Sequence, residues 1–394
     1  MCYAIPGKII EINDNIVVVD YFGEKKKARN EFYELSPGDY IYAQGGLVVQ
    51  RISPTEAKDI LQIWREYFFK LQELDLRLTY EPKTLYQIAN STRRKYLGNS
   101  CCVHGIIEFS NWCRNNCFYC GLRKDNTHIK RYRMSMEEII ERVIYAVKEL
   151  NFKALVLQSG EDLWYDEKVL VAMVKKIMEE TPILLILSIG ERDIDLYEKL
   201  YQAGAKAVLL RFETGNPLLY ERYRPGDKLE DRLALIKKLH GIGYLVFTGF
   251  LIGLPGQTEQ DILNDIDLTV SLNADMFSFG PFIPHPATPL KDALKPTMEL
   301  VLTTIARTRM MYPESRILVT TALETLDREN GAKSGLLAGG NSLMINLTPN
   351  KYRQFYEIYP EKANIDENIK DVIQKTLALL SSLGRAPTDL GLVA

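Results

Sequence analysis

The chain has 394 residues, with 49 Lys and Arg against 51 Asp and Glu and a formal net charge of −2. That length suits one large α/β barrel with an appendage better than a single ordinary domain, and so even a balance gives no general attraction to a polyanion such as nucleic acid. No apolar run reaches membrane-spanning length and the opening Met1–Lys8 lacks a charged-then-apolar secretion layout, so a cytoplasmic location with no membrane partner is expected.

Residues 1 to about 52 read as a small all-β unit. Segments Lys8–Glu11, Ile16–Phe22, Lys25–Asn30 and Tyr40–Ala43 are rich in β-formers and separated by turn residues at Asn13-Asp14-Asn15, Gly23 and Pro37-Gly38-Asp39. A small barrel closes such strands. Residues 55–76 read as a helix capped by Thr55, with Ile60, Leu61, Trp64, Phe68 and Leu71 at helical spacing. A helical lead-in follows to about residue 102.

From Val103 the pattern alternates. Strands are expected at 103–109, 153–158, 183–188, 206–211, 244–252, 275–280, 316–321 and 342–347, with amphipathic helices between them. The helix over 135–150 opens on the capping pattern Ser135-Met-Glu-Glu138, and that over 258–272 on Thr258. The connection around 326–338 is short and Gly-rich. Eight strands in βα order predict a TIM-type (β/α)8 barrel over 103–360, with residues 1–76 as the N-terminal barrel plus helix and 361–394 as a helical extension.

Polar residues cluster at the strand ends. The first strand runs into a cysteine loop, the second into Gln158-Ser159-Gly160-Glu161-Asp162, and the third into Ser188 and Gly190-Glu191. The fourth ends in Arg211-Phe212-Glu213-Thr214, the sixth leads to Pro281, Ile283 and His285, the seventh ends in Thr320-Thr321, and the eighth in Asn346-Leu-Thr348. In a barrel these positions share the rim where such folds place their sites, although some of them serve only to cap the next helix.

Five of the six cysteines, Cys101, Cys102, Cys113, Cys117 and Cys120, fall within twenty residues; the sixth is Cys2. Such clustering in a long chain reads as a metal site rather than a disulfide framework. Three thiolates on the tight loop Cys113-Arg-Asn-Asn-Cys117-Phe-Tyr-Cys120 suit a cubane iron–sulfur cluster with one iron left open. Zinc would want a fourth ligand, which Cys101, Cys102 or His104 could supply; the rim position favours the cluster.

A CxxxCxxC loop after the first strand of an α/β barrel resembles the radical S-adenosylmethionine (SAM) enzymes. The resemblance implies a [4Fe-4S] cluster whose open iron chelates SAM, and one-electron cleavage to a 5′-deoxyadenosyl radical with an external ferredoxin-type or reductase donor. It also implies oxygen sensitivity, hence anaerobic handling. Tyr119 is suited to pack near the adenine.

Within that superfamily, Ile106-Ile-Glu-Phe-Ser-Asn111, Tyr119-Cys-Gly-Leu-Arg123, Leu157-Gln-Ser-Gly-Glu-Asp162, Leu210-Arg-Phe-Glu-Thr214, Gly253-Leu-Pro-Gly-Gln-Thr258, Gly280-Pro-Phe-Ile-Pro-His-Pro286 and Tyr352-Arg-Gln354 resemble the HydE family of [FeFe]-hydrogenase maturases, related to biotin synthase and methylornithine synthase. The resemblance implies a small iron–carbonyl–cyanide or thiol substrate. It assigns Glu213 and Arg232 to the methionyl amino and carboxylate groups of SAM. Gln158, Ser188 and Arg211 fall near SAM or the cavity, and His104, Ile283, Thr320, Thr321 and Tyr352 at the substrate cavity. Two departures stand out: His104 replaces an expected basic residue, and no cysteine after Cys120 is available for a second cluster.

Met1-Cys-Tyr-Ala-Ile-Pro-Gly-Lys8 with its small barrel resembles HypC, a hydrogenase-assembly chaperone in which the cysteine after Met ligates iron; Cys2 takes that place, while Gln44 stands where histidine is usual. Together the modules imply a metallocentre maturase working with hydrogenase-maturation proteins. An amino-acid mutase like methylornithine synthase, and a non-catalytic carrier of an iron fragment, are the alternatives.

Overall fold

The computed structural model describes residues 5–388 together with the main chain of 392–393; Cys2 lies outside the described residues. The N-terminal strands are β1 (Gly7–Asn13), β2 (Ile16–Tyr21), β3 (Glu24–Arg29), β4 (Tyr40–Gln44) and β5 (Leu47–Ile52). They pair antiparallel in the order β3-β2-β1-β4-β5, and a β3–β5 contact at Arg29 and Leu47 closes the barrel. Alternation places Ile9, Val17, Val19, Ile41 and Val48 in its core. β5 was not foreseen as a strand. It follows the turn Gly45-Gly46, where both residues have positive φ, 61° and 79°, as a two-residue hairpin turn requires.

Helix α1 (Pro54–Thr79) covers this barrel with Phe68 and Leu71. Its cap is Ser53 rather than Thr55: the Ser53 hydroxyl accepts from the Glu56 N–H at 3.2 Å, and Pro54 takes the first helical position, where its missing N–H costs nothing. Helix α2 (Leu85–Leu97) is tied to α1 by a buried pair, Arg93 donating to both oxygens of Asp75 at 2.8 and 2.6 Å.

The large barrel follows in strict βα order. It comprises β6 (Cys102–Ser110), α3 (Met136–Lys148), β7 (Ala154–Ser159), α4 (Glu167–Glu180), β8 (Leu184–Ser188), α5 (Ile194–Gln202), β9 (Ala207–Leu209), α6 (Pro217–Tyr223), α7 (Leu229–Ile242), β10 (Leu245–Thr248), β11 (Leu251–Ile252), α8 (Glu259–Ser271), β12 (Met276–Phe277), β13 (Gly280–Pro281), α9 (Met298–Met311), β14 (Arg316–Ile317), α10 (Thr321–Leu326), α11 (Gly331–Leu337) and β15 (Ser342–Asn346). Eight strands are parallel in the order β14-β12-β10-β9-β8-β7-β6-β15, and a Leu318–Ser342 bridge joins the two ends. The expected long strands at 244–252 and 275–280 are each broken into two short pieces, β10/β11 and β12/β13. Gly249 sits at the first break, where an added Cβ would lie 2.4 Å from the Ser278 carbonyl. Capping boxes at Ser135 and Thr258 open α3 and α8.

After α12 (Asn350–Arg353) and α13 (Ile369–Ser382) the chain returns to the small barrel, where β16 (Leu392–Val393) pairs antiparallel with β3. The small barrel seats against the N-terminal ends of the large barrel's strands, opposite the rim. Tyr42, Leu47, Val49 and Ile52 share one core with Ala154, Leu184, Leu245 and Phe247, and Arg29 donates to the Gly243 carbonyl at 2.9 Å. No helix among the described residues is long and apolar enough to cross a membrane.

Candidate active site

Period-two alternation sets which residues of β6 face inward. Val103, Ile107 and Phe109 face the helices, while Ile106 joins the inner core. Glu108, one turn of the pleat above Ile106, therefore reaches the cavity at the C-terminal rim. That cavity holds about 310 Å3.

The cysteine loop forms one wall and is pinned by main-chain hydrogen bonds to three separate connections: Arg114 N–H to the Glu161 carbonyl (3.1 Å), Phe118 N–H to Tyr223 (2.9 Å) and Gly121 N–H to Ile358 (2.7 Å). Glycines permit the approach: a Cβ on Gly160 would lie 2.2 Å from the Trp112 carbonyl, and one on Gly121 would lie 2.1 Å from that of Glu357. Arg131 ties the loop's far end, donating to the carbonyls of Asn111, Leu122 (3.0 Å), Arg123 (2.8 Å) and Asn126 (3.2 Å). Cys113, Cys117 and Cys120 all border the cavity. Burial raises all three thiols, Cys117 to about 11, so without a cation they hold their protons. A bound metal ion supplies the charge that makes such thiols thiolates.

A band of charge runs around the same wall. Arg224, 6% exposed, donates to the Tyr119 hydroxyl at 3.0 Å and to Asp227 at 2.6 Å. Arg232, 3% exposed, lies 2.7 Å from Glu191 and 3.4 Å from Glu161, so it is no surface ion pair. Gly190, at φ +73°, leaves room for Glu161; a Cβ there would lie 1.9 Å from its Cγ. Glu213 adopts a left-handed backbone, φ +68°, uncommon for a non-glycine residue and typical of functional sites. Its carboxylate is 2.9 Å from Arg211 without the alignment of a hydrogen bond. The Thr320 hydroxyl is likewise buried with no hydrogen-bond partner among the described residues.

Gln158, Ser188, Arg211, Ile283 and Thr321 also border the cavity, together with Tyr119, Glu213, Arg232 and Thr320. Two expected positions do not. His104 is fully buried beneath the floor, its Nε2 3.2 Å from Cys102 Sγ and its Nδ1 3.3 Å from Ser342 Oγ. It sits two residues below Ile106, whose side chain forms the floor with Leu209, Leu318 and Met344. Tyr352 stacks on Tyr132 at 4.8 Å and donates to Glu138 on the outer surface at 2.9 Å; Tyr356 and Tyr359, further along that loop, line the cavity instead.

Asn346, expected on the rim, meets Glu108 and Lys362 there, two residues the sequence reading did not assign to the site. Lys362 donates to Glu108, and Asn346 donates to its other oxygen at 2.7 Å. Glu108 was readable as a lone acid at an inward position of an apolar strand. Lys362 and Arg224 come from loops without periodicity and left no signal.

Comparison with known proteins decides the family. A model described as the radical SAM superfamily matches residues 107–269, and the HupF/HypC family matches residues 1–64. The [FeFe] hydrogenase maturase subunit HydE of Thermotoga maritima is 43% identical over 305 residues, 77% of this chain and 87% of that protein. The chain belongs to the radical SAM superfamily, in its HydE group. This HydE-like enzyme is also 30% identical to the 3-methylornithine synthase of Methanosarcina barkeri, over 78% of its own length and 89% of the relative's. The crystal structure of methylornithine synthase (PylB) superposes with a TM-score of 0.67 at 27% identity, covering 82% of the chain and 97% of that structure.

The HydE-like enzyme uses a [4Fe-4S] cluster and SAM. The residues present fit both groups. Three soft thiols share one wall, and unsatisfied polar atoms of Glu213 and Thr320 face the adjoining space.

Proposed function

We propose that Cys113, Cys117 and Cys120 hold the cluster, that Glu213 and Arg232 receive the amino and carboxylate groups of SAM, and that Tyr119, Gln158, Ser188 and Arg211 border it. When bound and reduced, the pair supplies one-electron hydrogen-atom abstraction. The protein's part is orientation and dryness. Opposite charges placed as an amino acid's are favour one orientation of the methionyl end, and the apolar floor of Ile106, Leu209, Leu318 and Met344 keeps water from the reacting carbon. A substrate would sit over Ile283, Thr320 and Thr321, with the Glu108–Lys362 pair offering one acceptor and one donor.

The substrate we favour is a small iron–carbonyl/cyanide or thiol compound of hydrogenase metallocentre assembly, with maturation proteins as partners. The observation that carries this reading is the coincidence of two modules. The maturase HydE matches most of the chain, and a HupF/HypC segment precedes the radical SAM segment. Similarity to 3-methylornithine synthase favours a second reading, rearrangement of a free amino acid such as lysine.

Anaerobic reconstitution with iron and sulfide, followed by dithionite and SAM, tests both. We expect 5′-deoxyadenosine from the intact chain and none from the C113A/C117A/C120A variant. Thiols or iron–carbonyl–cyanide synthons should raise the yield; a rise with lysine alone would replace the first reading by the second. Zinc binding without iron would sink both.

A further inference from the structure

The cysteine loop has two faces. The inner one borders the cavity. The outer one is exposed, and residues 112–133, which supply both faces, include six Lys and Arg against the single acid Asp125, a local charge of +5 in a chain of net charge −2. The neighbouring Glu161 and Asp162 lower this to +3, because they pair with Arg114 at 3.2 Å and Arg133 at 2.7 Å. Lys124 and Lys130 remain exposed to solvent, and the hydrogen bonds of Arg131 go to main-chain carbonyls.

Large apolar side chains share this face: Trp112 is 41% exposed, Leu163 52% and Trp164 58%. The Arg133 guanidinium lies 4.4 Å from the Trp112 ring and 5.4 Å from that of Trp164, and Asp162 accepts from it at both oxygens. The result is a fixed aromatic–cationic surface, the composition that protein interfaces enrich. Trp112 is joined by one peptide bond to Cys113.

Reduction of the cluster requires one electron from outside. On the proposed assignment SAM and substrate take the cavity side, which leaves the outer face of the loop for an approach from solvent. We propose that this face is the docking surface of an acidic one-electron carrier protein. The carrier is oxidised by one electron, the cluster is reduced by one, and no atom is transferred. The proposal rests on the radical SAM assignment, and dithionite-driven SAM cleavage checks that assignment separately.

The test uses flavodoxin, an acidic flavin protein, as the probe against the reconstituted full-length enzyme. Calorimetry measures binding of oxidised flavodoxin, and 5′-deoxyadenosine formation is driven either by reduced flavodoxin or by dithionite. In K124E/K130E we expect binding and the flavodoxin-driven rate to fall at least tenfold, and in W164S several-fold. The dithionite-driven rate of both variants should stay within twofold of wild type. Wild-type binding should also weaken as salt rises, as complementary exposed charges require. Unchanged flavodoxin binding in both variants overturns the proposal, as does wild-type binding indifferent to salt.

Discussion

Asp265 on α8 holds the Glu213 loop in place: it accepts from the Gly215 N–H at 2.6 Å and from Gln257 at 3.2 Å while fully buried. Burial raises its pKa from 3.8 to about 7. Between about pH 4 and 7 the native state therefore keeps a proton that the unfolded chain has released. Stability falls as pH rises through that window, by up to ~1.4 kcal/mol per unit. In D265N, urea unfolding from pH 4.5 to 8 should lack this slope; equal slopes would remove Asp265 as its source. Other residues of the site differ in how openly the sequence announced them. The cysteines sit in a motif and Glu213 at a strand end, so both were legible, whereas Arg232 lies within α7 and was reached only through the family resemblance. Lys362 and Arg224 reach the cavity from irregular loops, whose course is set by tertiary contacts. His104 was read at the right face of β6 but at the wrong depth, because periodicity tells inward from outward and not how far down the floor lies.

At the scale of elements, caps decide boundaries that periodicity leaves open. Thr55 and Ser53 both stand near the start of α1, and the hydrogen bond from the Glu56 N–H to the Ser53 hydroxyl settles the matter, with Pro54 at the first helical position that suits it. S53A should cost about 1 kcal/mol in chemical unfolding, whereas T55A should leave the midpoint nearly unmoved; the reverse order would return the cap to Thr55. The break between β10 and β11 also has a local cause: Gly249 stands there, and a Cβ on it would meet the main chain of Ser278.

For the whole molecule, the seating of the small barrel was beyond reach of the sequence, since both surfaces read simply as apolar strand residues. The turn Gln44-Gly45-Gly46 carries the contact: an added Cβ at Gly45 would stand 3.0 Å from Leu184 of the large barrel. A chain beginning at residue 53 would leave Ala154, Leu184, Leu245 and Phe247 without their cover. We expect it to aggregate or to lose its cooperative thermal transition, measured by scattering and calorimetry. An unchanged transition would make the small barrel a detachable appendage.

The pairing of β16 with β3, together with the hydrogen bond from the Ile5 N–H to Thr388 at 3.4 Å, joins segments from either side of the large barrel. The large barrel is therefore an excursion of the polypeptide between two segments that meet at one sheet. A pull applied between residues 5 and 388 would load the small barrel before it reached the large one.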